Sequence, residues 1–324
     1  MSEMTIRKFS LSHLTSVEQI SLDDLQLLLD GADMMKQLVS SSGGDDRLKG
    51  KVLATIFYEP STRTACSFIA AMQRLGGSVI PIYEQTSSVK KGESFEDTIR
   101  TLASFADAIV LRHPMKGSAV TASSVSSKPV INAGDGAGEH PTQALLDMYT
   151  IRSELGRIGG ETERGVPMVI AFVGDLKNGR TVHSLSLLLA RYAGDSLHFV
   201  FVSPPSLSLP DYIRDRLAQA NTTQEHVESL DEVIRRADVL YMTRIQRERF
   251  ETEEEYNTVF GCYCLDAKLM IRAKDRMIVM HPLPRLNEIH TDVDSDPRAA
   301  YFRQMENGMF MRMSVLSLTL LGRV

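Results

Sequence analysis

The 324-residue sequence is poor in cysteine: Cys66, Cys262 and Cys264 are all it has. Three thiols cannot build the paired framework of a small secreted domain, which points to a reducing compartment. Cys262 and Cys264 stand two apart with no histidine or third cysteine at ligand spacing, so a strand carrying small residues is expected there and no metal. A surplus of positive charge is also lacking. The chain has 36 lysines and arginines against 41 acidic residues, a formal net charge of -5. That balance argues against a general nucleic-acid or membrane-surface binder, though not against a local cationic pocket. No apolar run approaches the ~20 residues of a membrane span. The segment Met1 to Leu11 has neither the apolar stretch of a signal peptide nor the Arg- and Ser-rich character of a transit peptide, so a cytoplasmic protein is expected. A G-x-x-x-x-G-K-[ST] motif is absent, which removes nucleoside triphosphates as the natural ligand. The run Gly134-Asp135-Gly136-Ala137-Gly138 is not a dinucleotide fingerprint and reads as a flexible approach to His140. No cofactor is expected.

What is present is a globular composition, 43% hydrophobic and 24% charged. The length fits about two domains of ~150 residues. Apolar strand-like runs alternate with helical periodicities, the pattern of an open parallel sheet covered on both faces. Strands are expected at residues 52–58, 79–83, 108–111, 129–132, 169–173, 197–202, 239–242 and 277–280. Helices are expected at 61–76, 94–105, 141–155, 181–192, 210–220, 230–236 and 311–321. The fold class is α/β: two doubly wound parallel-sheet domains with the active site in the cleft between them. The division is residues 1–142, completed by a C-terminal helix at 306–324, and residues 143–305.

In open α/β sheets, ligands bind beyond the carboxyl ends of the strands. Five expected strands end in Arg, His or hydroxyl residues. Ser61-Thr62-Arg63-Thr64 follows VLATIFY, Arg112-His113-Pro114 follows AIVL, and His140-Pro141-Thr142-Gln143 follows VIN and its glycine-rich loop. Arg244-Ile245-Gln246 follows VLYMT, and His281-Pro282-Leu283-Pro284-Arg285 follows MIVM. The first N–H groups of a helix carry partial positive charge and lack internal partners, so Ser61 to Thr64 at a helix start make a phosphate cradle. The plainer alternative is an N-cap with a solvated Arg63. His140 and Gln143 share a first helical turn, where an imidazole and an amide can face a small carbonyl compound; a cap and a surface amide are the alternative. Arg112 is either a fixed cation at the site or half of a structural ion pair.

The four motifs at Ser61, Arg112, His140 and His281, in this order and spacing, resemble the carbamoyltransferase family, and the match covers nearly the whole chain. The resemblance is strongest to the branch acting on aspartate. It implies a first domain binding carbamoyl phosphate and a second binding L-aspartate. Phosphate would be held by Ser61, Thr62, Arg63, Thr64 and Arg112. The carbonyl oxygen would meet Thr64, Arg112 and His140, and the amino group would meet Gln143 and the backbone carbonyls of Leu283 and Pro284. Arg63, Thr64, Arg112 and His140 are thus the implied catalytic groups. No nucleophilic side chain is required, because the amine of the second substrate attacks directly. Arg180, Arg244 and Gln246 match aspartate-contacting positions, and paired guanidinium forks suit two carboxylates.

The resemblance further implies that Ser87 and Lys91, in a loop that by itself reads as solvated surface, reach into a neighbouring subunit's site in a homotrimer; Lys91 would also face aspartate. Ser88-Val89 is bulkier than the family's Leu-Gly pattern. The segment Arg247 to Tyr256 matches a mobile family loop; by composition it is a solvated acidic helix. Within the family, ornithine enzymes carry a Ser-Met-Gly element and a Cys where this chain has Pro282, and Ser-Met-Gly is absent here. Aspartate is therefore expected as acceptor, with ornithine or another amine as the alternative enzyme reading and a non-catalytic anion binder as the third. Whether a regulatory chain or a fused domain accompanies it is left open.

Overall fold

A computed structural model of the chain describes residues 8–83, 92–159 and 165–324. It divides into two compact units, Met1–Tyr149 with Met305–Val324, and Thr150–Gln304. The first break falls inside a helix that begins at Pro141, beyond the 142/143 division expected from the sequence.

The first unit runs α1 (Leu22–Ser42), β1 (Val52–Phe57), α2 (Thr62–Arg74), β2 (Ser78–Tyr83), α3 (Phe95–Phe105), β3 (Ala108–His113), α4 (Ser118–Val125), β4 (Val130–Asp135) and α5 (Pro141–Leu155). Its sheet has the order β2-β1-β3-β4, every pair parallel. Helices cover both faces of β1, β3 and β4, so these strands are nearly continuous apolar runs; all six residues of β4 are buried. Strand β2 is at the edge, alternates in exposure and carries Pro81, which an edge strand tolerates. The order reverses between β1 and β3, so the topological switch point lies at their carboxyl ends.

Helix α1 was not expected from the sequence. Ser21 caps it by accepting from the Asp24 N–H, Gly43 ends it at φ 78°, and Leu25, Leu28, Leu29, Ala32 and Met35 form its buried stripe. A second helix seals it. Helix α11 belongs to the C-terminal segment, spans Tyr301–Leu321, and so starts ten residues before the expected Met311. Ser314 Oγ donates to the Leu28 carbonyl at 2.9 Å. The crossing is tight enough that a Cβ on Gly31 would collide with Ser314 Oγ.

The second unit contains β5 (Met168–Val173), α6 (Arg180–Ala193), β6 (Leu197–Val202), α7 (Asp211–Gln219), β7 (Thr223–Val227), α8 (Leu230–Val233), β8 (Val239–Met242), α9 (Glu253–Val259), α10 (Ala267–Met270) and β9 (Ile278–Met280). The sheet order is β7-β6-β5-β8-β9, again wholly parallel, with its reversal between β5 and β8. Phe172, Phe199, Phe201 and Tyr241 pack one face, with Phe172 and Phe201 stacked at 5.7 Å. Each buried ring of this size contributes roughly 1.5–3 kcal/mol.

The two sheets share a local device. Asp107 accepts from the Val52 N–H at 2.9 Å and pairs with Lys51. Asp238 likewise accepts from the Val169 N–H at 2.8 Å and pairs with Lys274. Each carboxylate fastens the start of the strand pair that flanks its switch point. Cys262 and Cys264 do not lie in a strand. They occupy a turn leading to the single bridge between Leu265 and Ile289, and desolvation pushes both thiols above the ordinary cysteine value.

Candidate active site

In the first unit the switch point gathers three of the expected motifs. Phe57 of β1 is in register with Arg112 of β3, and the Tyr58 N–H donates to the Arg112 carbonyl at 2.9 Å. The chain leaving β1 therefore starts α2 directly beside Arg112. Ser61 is the N-cap residue of α2 but makes no side-chain cap hydrogen bond. Its hydroxyl and the first-turn N–H groups thus keep their capacity for an anion, and Ser61 holds the N-cap position of the plainer alternative without its side-chain bond. Thr62 and Arg63 are exposed and Thr64 is buried.

Arg112 is fixed rather than solvated. Its Nε lies 3.3 Å from Glu59 Oε2, and its Nη1 donates to the Ala133 carbonyl at 3.3 Å. The ion pair weighed as an alternative is present, and it orients the guanidinium at the strand end. His113, the next residue, is structural: its Nδ1 accepts from the Met115 N–H, and its ring packs 4.6 Å from Tyr58 and 5.1 Å from Phe95.

The third motif starts α5. His140 is buried with Nδ1 3.5 Å from Thr142 Oγ1, and its carbonyl accepts from the N–H groups of Gln143 and Ala144. Gln143 is not a surface amide. Its Nε2 donates to Asp147 Oδ1 at 2.8 Å. The glycine-rich approach is not flexible either. Asp135 accepts from the N–H groups of Glu139 and Gly117, and Glu139 accepts from Ser16 Oγ and the Val17 N–H. Burial, the largest influence on Glu139, raises its carboxyl above the ordinary value.

The switch point of the second unit gathers the other set. The loop after β5 is folded on Asp175, which accepts from the Asn178 backbone and side-chain N–H groups at 3.0 and 3.1 Å. Burial raises its carboxyl despite these bonds. Thr243, at the end of β8, accepts from the Asp175 N–H and donates to the Val173 carbonyl. This stitches the two strand ends together. Arg180 is the first residue of α6. Gln246 Nε2 reaches the Asn178 carbonyl at 3.5 Å. Arg244 makes an ion pair in the chain itself: Glu248, four residues on, holds both of its terminal nitrogens. Burial alone would raise Glu248, but Arg244 outweighs it and holds the carboxyl below the ordinary value.

Beyond β9, Leu283 has a left-handed backbone, φ 53°, and the Leu283–Pro284 peptide is cis. The Leu283 N–H donates to His281 Nδ1 at 2.7 Å, and His281 Nε2 lies 2.7 Å from Glu288 Oε1. Since Nδ1 accepts, the proton sits on Nε2 and the imidazole donates to Glu288. Arg285 serves the fold, between Asp294 and the Tyr301 hydroxyl. The segment after Gln246 forms a 3-10 turn at Arg247–Arg249 and then α9, whose first-turn Glu253, Glu254 and Glu255 suit a helix N-terminus. Ser87, Lys91 and Ser88-Val89 lie outside the described residues. The sequence reading missed Glu59, Asp147, Glu248 and Glu288. For Asp147 the signal was there, an i,i+4 spacing from Gln143 on a helix; Glu248 is paired across a non-helical stretch and a 3-10 turn.

Two family descriptions match the chain: "Aspartate/ornithine carbamoyltransferase, carbamoyl-P binding domain" at residues 12–153 and "Aspartate/ornithine carbamoyltransferase, Asp/Orn binding domain" at residues 167–319. The multifunctional protein pyr1-3 of Dictyostelium discoideum is 54% identical over 306 residues, 94% of this chain and 13% of that protein. The chain spans only 13 to 17% of the length of multifunctional relatives that it matches. The aspartate carbamoyltransferase catalytic subunit of Thermoplasma acidophilum is 47% identical over 302 residues, 93% of this chain and 95% of that one. Among solved structures, the aspartate transcarbamoylase of Trypanosoma cruzi, crystallised with carbamoyl aspartate and phosphate, superposes with a TM-score of 0.85 at 45% identity. That match covers 96% of this chain and 95% of that one. The chain therefore belongs to the aspartate/ornithine carbamoyltransferase family.

Proposed function

We propose that the chain is a transferase that moves the carbamoyl group of carbamoyl phosphate to the amino group of L-aspartate, giving N-carbamoyl-L-aspartate and phosphate, an early step of de novo pyrimidine biosynthesis. The observation that carries this reading is the convergence of Ser61 to Thr64, Arg112, His140 and Gln143 on the carboxyl ends of three neighbouring strands. The ligands of the Trypanosoma cruzi protein are the two products of this reaction.

In this reading Ser61, Thr62, Arg63, Thr64 and Arg112 hold the phosphate. The neutral aspartate amine attacks the carbonyl carbon, and a C–N bond forms as charge gathers on the carbonyl oxygen. Thr64, Arg112 and His140 face that oxygen. Preorganised donors of this kind are worth roughly 3 kcal/mol each. The C–O bond to phosphate then breaks, and the departing phosphate takes the amine proton. Gln143 Oε1 and the Leu283 and Pro284 carbonyls accept from the carbamoyl amino group. Arg180, Arg244 and Gln246 hold the aspartate carboxylates, with Arg244 exchanging Glu248 for the substrate.

Ser87 and Lys91 complete the site of a neighbouring copy in a homotrimer, Lys91 also facing aspartate. The protein works in the cytoplasm. Among the described residues no helix is long and apolar enough to cross a membrane. The multifunctional relatives make fusion to other domains the natural setting to test for a partner. A phosphate-release assay with carbamoyl phosphate and either aspartate, ornithine or no amine tests the reading. Release with aspartate alone is expected; release with ornithine alone, or with no amine preference, contradicts it.

A further inference from the structure

His183 is a buried imidazole of the second unit that has no part in the chemistry above. It stands on the first turn of α6, three positions after Arg180, and is 7% exposed. Its Nε2 lies 2.7 Å from the Leu176 carbonyl oxygen. A carbonyl oxygen only accepts, so Nε2 carries a ring proton and donates it. The N–H of the same peptide unit, that of Lys177, donates to the Leu207 carbonyl at 3.0 Å. One peptide plane is thus held at both edges, by α6 on one side and by the turn after β6 on the other. The fully buried Leu176 side chain anchors the same plane. The imidazole is itself braced: its ring meets the Tyr212 ring of α7 edge-on, with centroids 6.3 Å apart and planes at 78°. Between this plane and Arg180 the chain is tightly folded. The Arg180 N–H donates to the Asn178 carbonyl at 2.9 Å, and a Cβ on Gly179 would come within 2.5 Å of the Asp175 carbonyl oxygen.

We infer that His183 is a positioning residue for the second substrate: it pins the Leu176–Lys177 peptide and so sets the backbone from which Arg180 meets the aspartate carboxylates. This deepens the function proposed above and rests on it. Strand β5 ends at Val173 and α6 starts at Arg180, so the loop between them lies outside the sheet and its shape rests on local bonds. The His183 bond ties that loop to the helix carrying Arg180. A peptide plane released at its carbonyl edge can turn, which changes ψ of Leu176 and φ of Lys177. The chain reaches Arg180 three residues later, so the guanidinium would sample several placements, of which one fits the ligand. Apparent affinity then falls in proportion to the competent fraction. Once aspartate is bound the loop is in the competent form, so turnover changes little. A histidine that served packing alone would alter stability without separating the two constants.

The test reads the KM for aspartate apart from kcat, by phosphate release from the full chain. His183→Leu keeps the bulk and removes the donor, whereas His183→Gln places an amide N–H where the imidazole Nε2 was. KM is expected to rise about tenfold in His183→Leu, the size of one lost hydrogen bond, with kcat within about threefold of wild type. His183→Gln should return KM to within about threefold of wild type. The calorimetric affinity for phosphonoacetamide, a hydrolysis-resistant phosphonate bearing the amide of carbamoyl phosphate, should stay within about twofold in both, because Arg180 takes no part in holding it. Adding His183→Leu to Arg180→Ala should change little, since the histidine acts through the arginine. If leucine unfolds the chain, His183→Asn takes its place: its amide matches Nδ1 and falls short of the carbonyl. A folded variant without the donor that keeps the wild-type KM overturns the inference. So does a rise that His183→Gln fails to relieve, which would assign the ring to packing. A wild-type chain without aspartate-dependent phosphate release overturns the transferase reading, and the inference with it.

Discussion

His281 Nε2 donates to Glu288 Oε1 at 2.7 Å, with the histidine 1% exposed. The same imidazole accepts from the Leu283 N–H, so one ring ties the strand end to the loop that carries the Leu283 and Pro284 carbonyls. Burial alone would raise Glu288, but His281 and the backbone N–H bonds outweigh it and hold it below its ordinary 4.5. A depressed carboxyl contributes stability that is present above the ordinary pKa and lost as pH falls through the folded-state value. Glu288→Gln should therefore cost about 1–2 kcal/mol at neutral pH. The gap to wild type should narrow as pH falls from 4.5 through the lower folded-state value. Thermal unfolding against pH checks this; a gap that is flat or widens in acid would refute it.

Catalytic loss should separate from stability in the first unit. In the proposed reaction His140→Ala and Arg112→Ala would each remove a donor from the carbonyl oxygen, so kcat should fall by about 10²–10³ with the far-UV circular dichroism spectrum unchanged. Arg112→Ala also leaves Glu59 without its partner at 3.3 Å, so a modest drop in melting temperature accompanies it. Unfolding of both variants would show that these residues serve the fold alone.

The second unit should govern the acceptor. Arg180→Ala and Arg244→Ala should raise the KM for aspartate at least tenfold, the scale of a lost charge-assisted contact. Neither should change phosphonoacetamide binding. A change confined to the phosphonate would reverse the assignment of roles.

Much of this architecture was legible because of how the strands are buried. VLATIF and MVIAFV are continuous apolar runs, since helices cover both faces of their sheets. Strand β7, TQEHV, was missed because an edge strand needs no such run. Helix α4, SAVTASSV, is made of hydroxyl and small residues that carry little periodic signal. The strand-end cations could be read because topology sends carboxyl ends to ligands. Their partners were harder. Glu248 stands only four residues from Arg244, whereas Arg312 meets the Phe68 ring across chain-distant helices, and no local pattern announces that meeting.

The crossing of α1 and α11 gives a test of the first unit's closure. Gly31→Val places two methyl groups where even a Cβ strikes Ser314. Overpacking of this kind costs about 1–3 kcal/mol. Urea unfolding should show a lower midpoint with little change in slope; an unchanged midpoint would mean that the two helices part freely.

The most direct measurement is identification of the product. The full chain is incubated with carbon-13 carbamoyl phosphate and an equal mixture of aspartate and ornithine, and the carbon-13 spectrum is followed. The account predicts one new ureido signal, that of N-carbamoyl-L-aspartate, appearing in step with phosphate. Label found in citrulline, or lost only as the enzyme-free breakdown products, would contradict it.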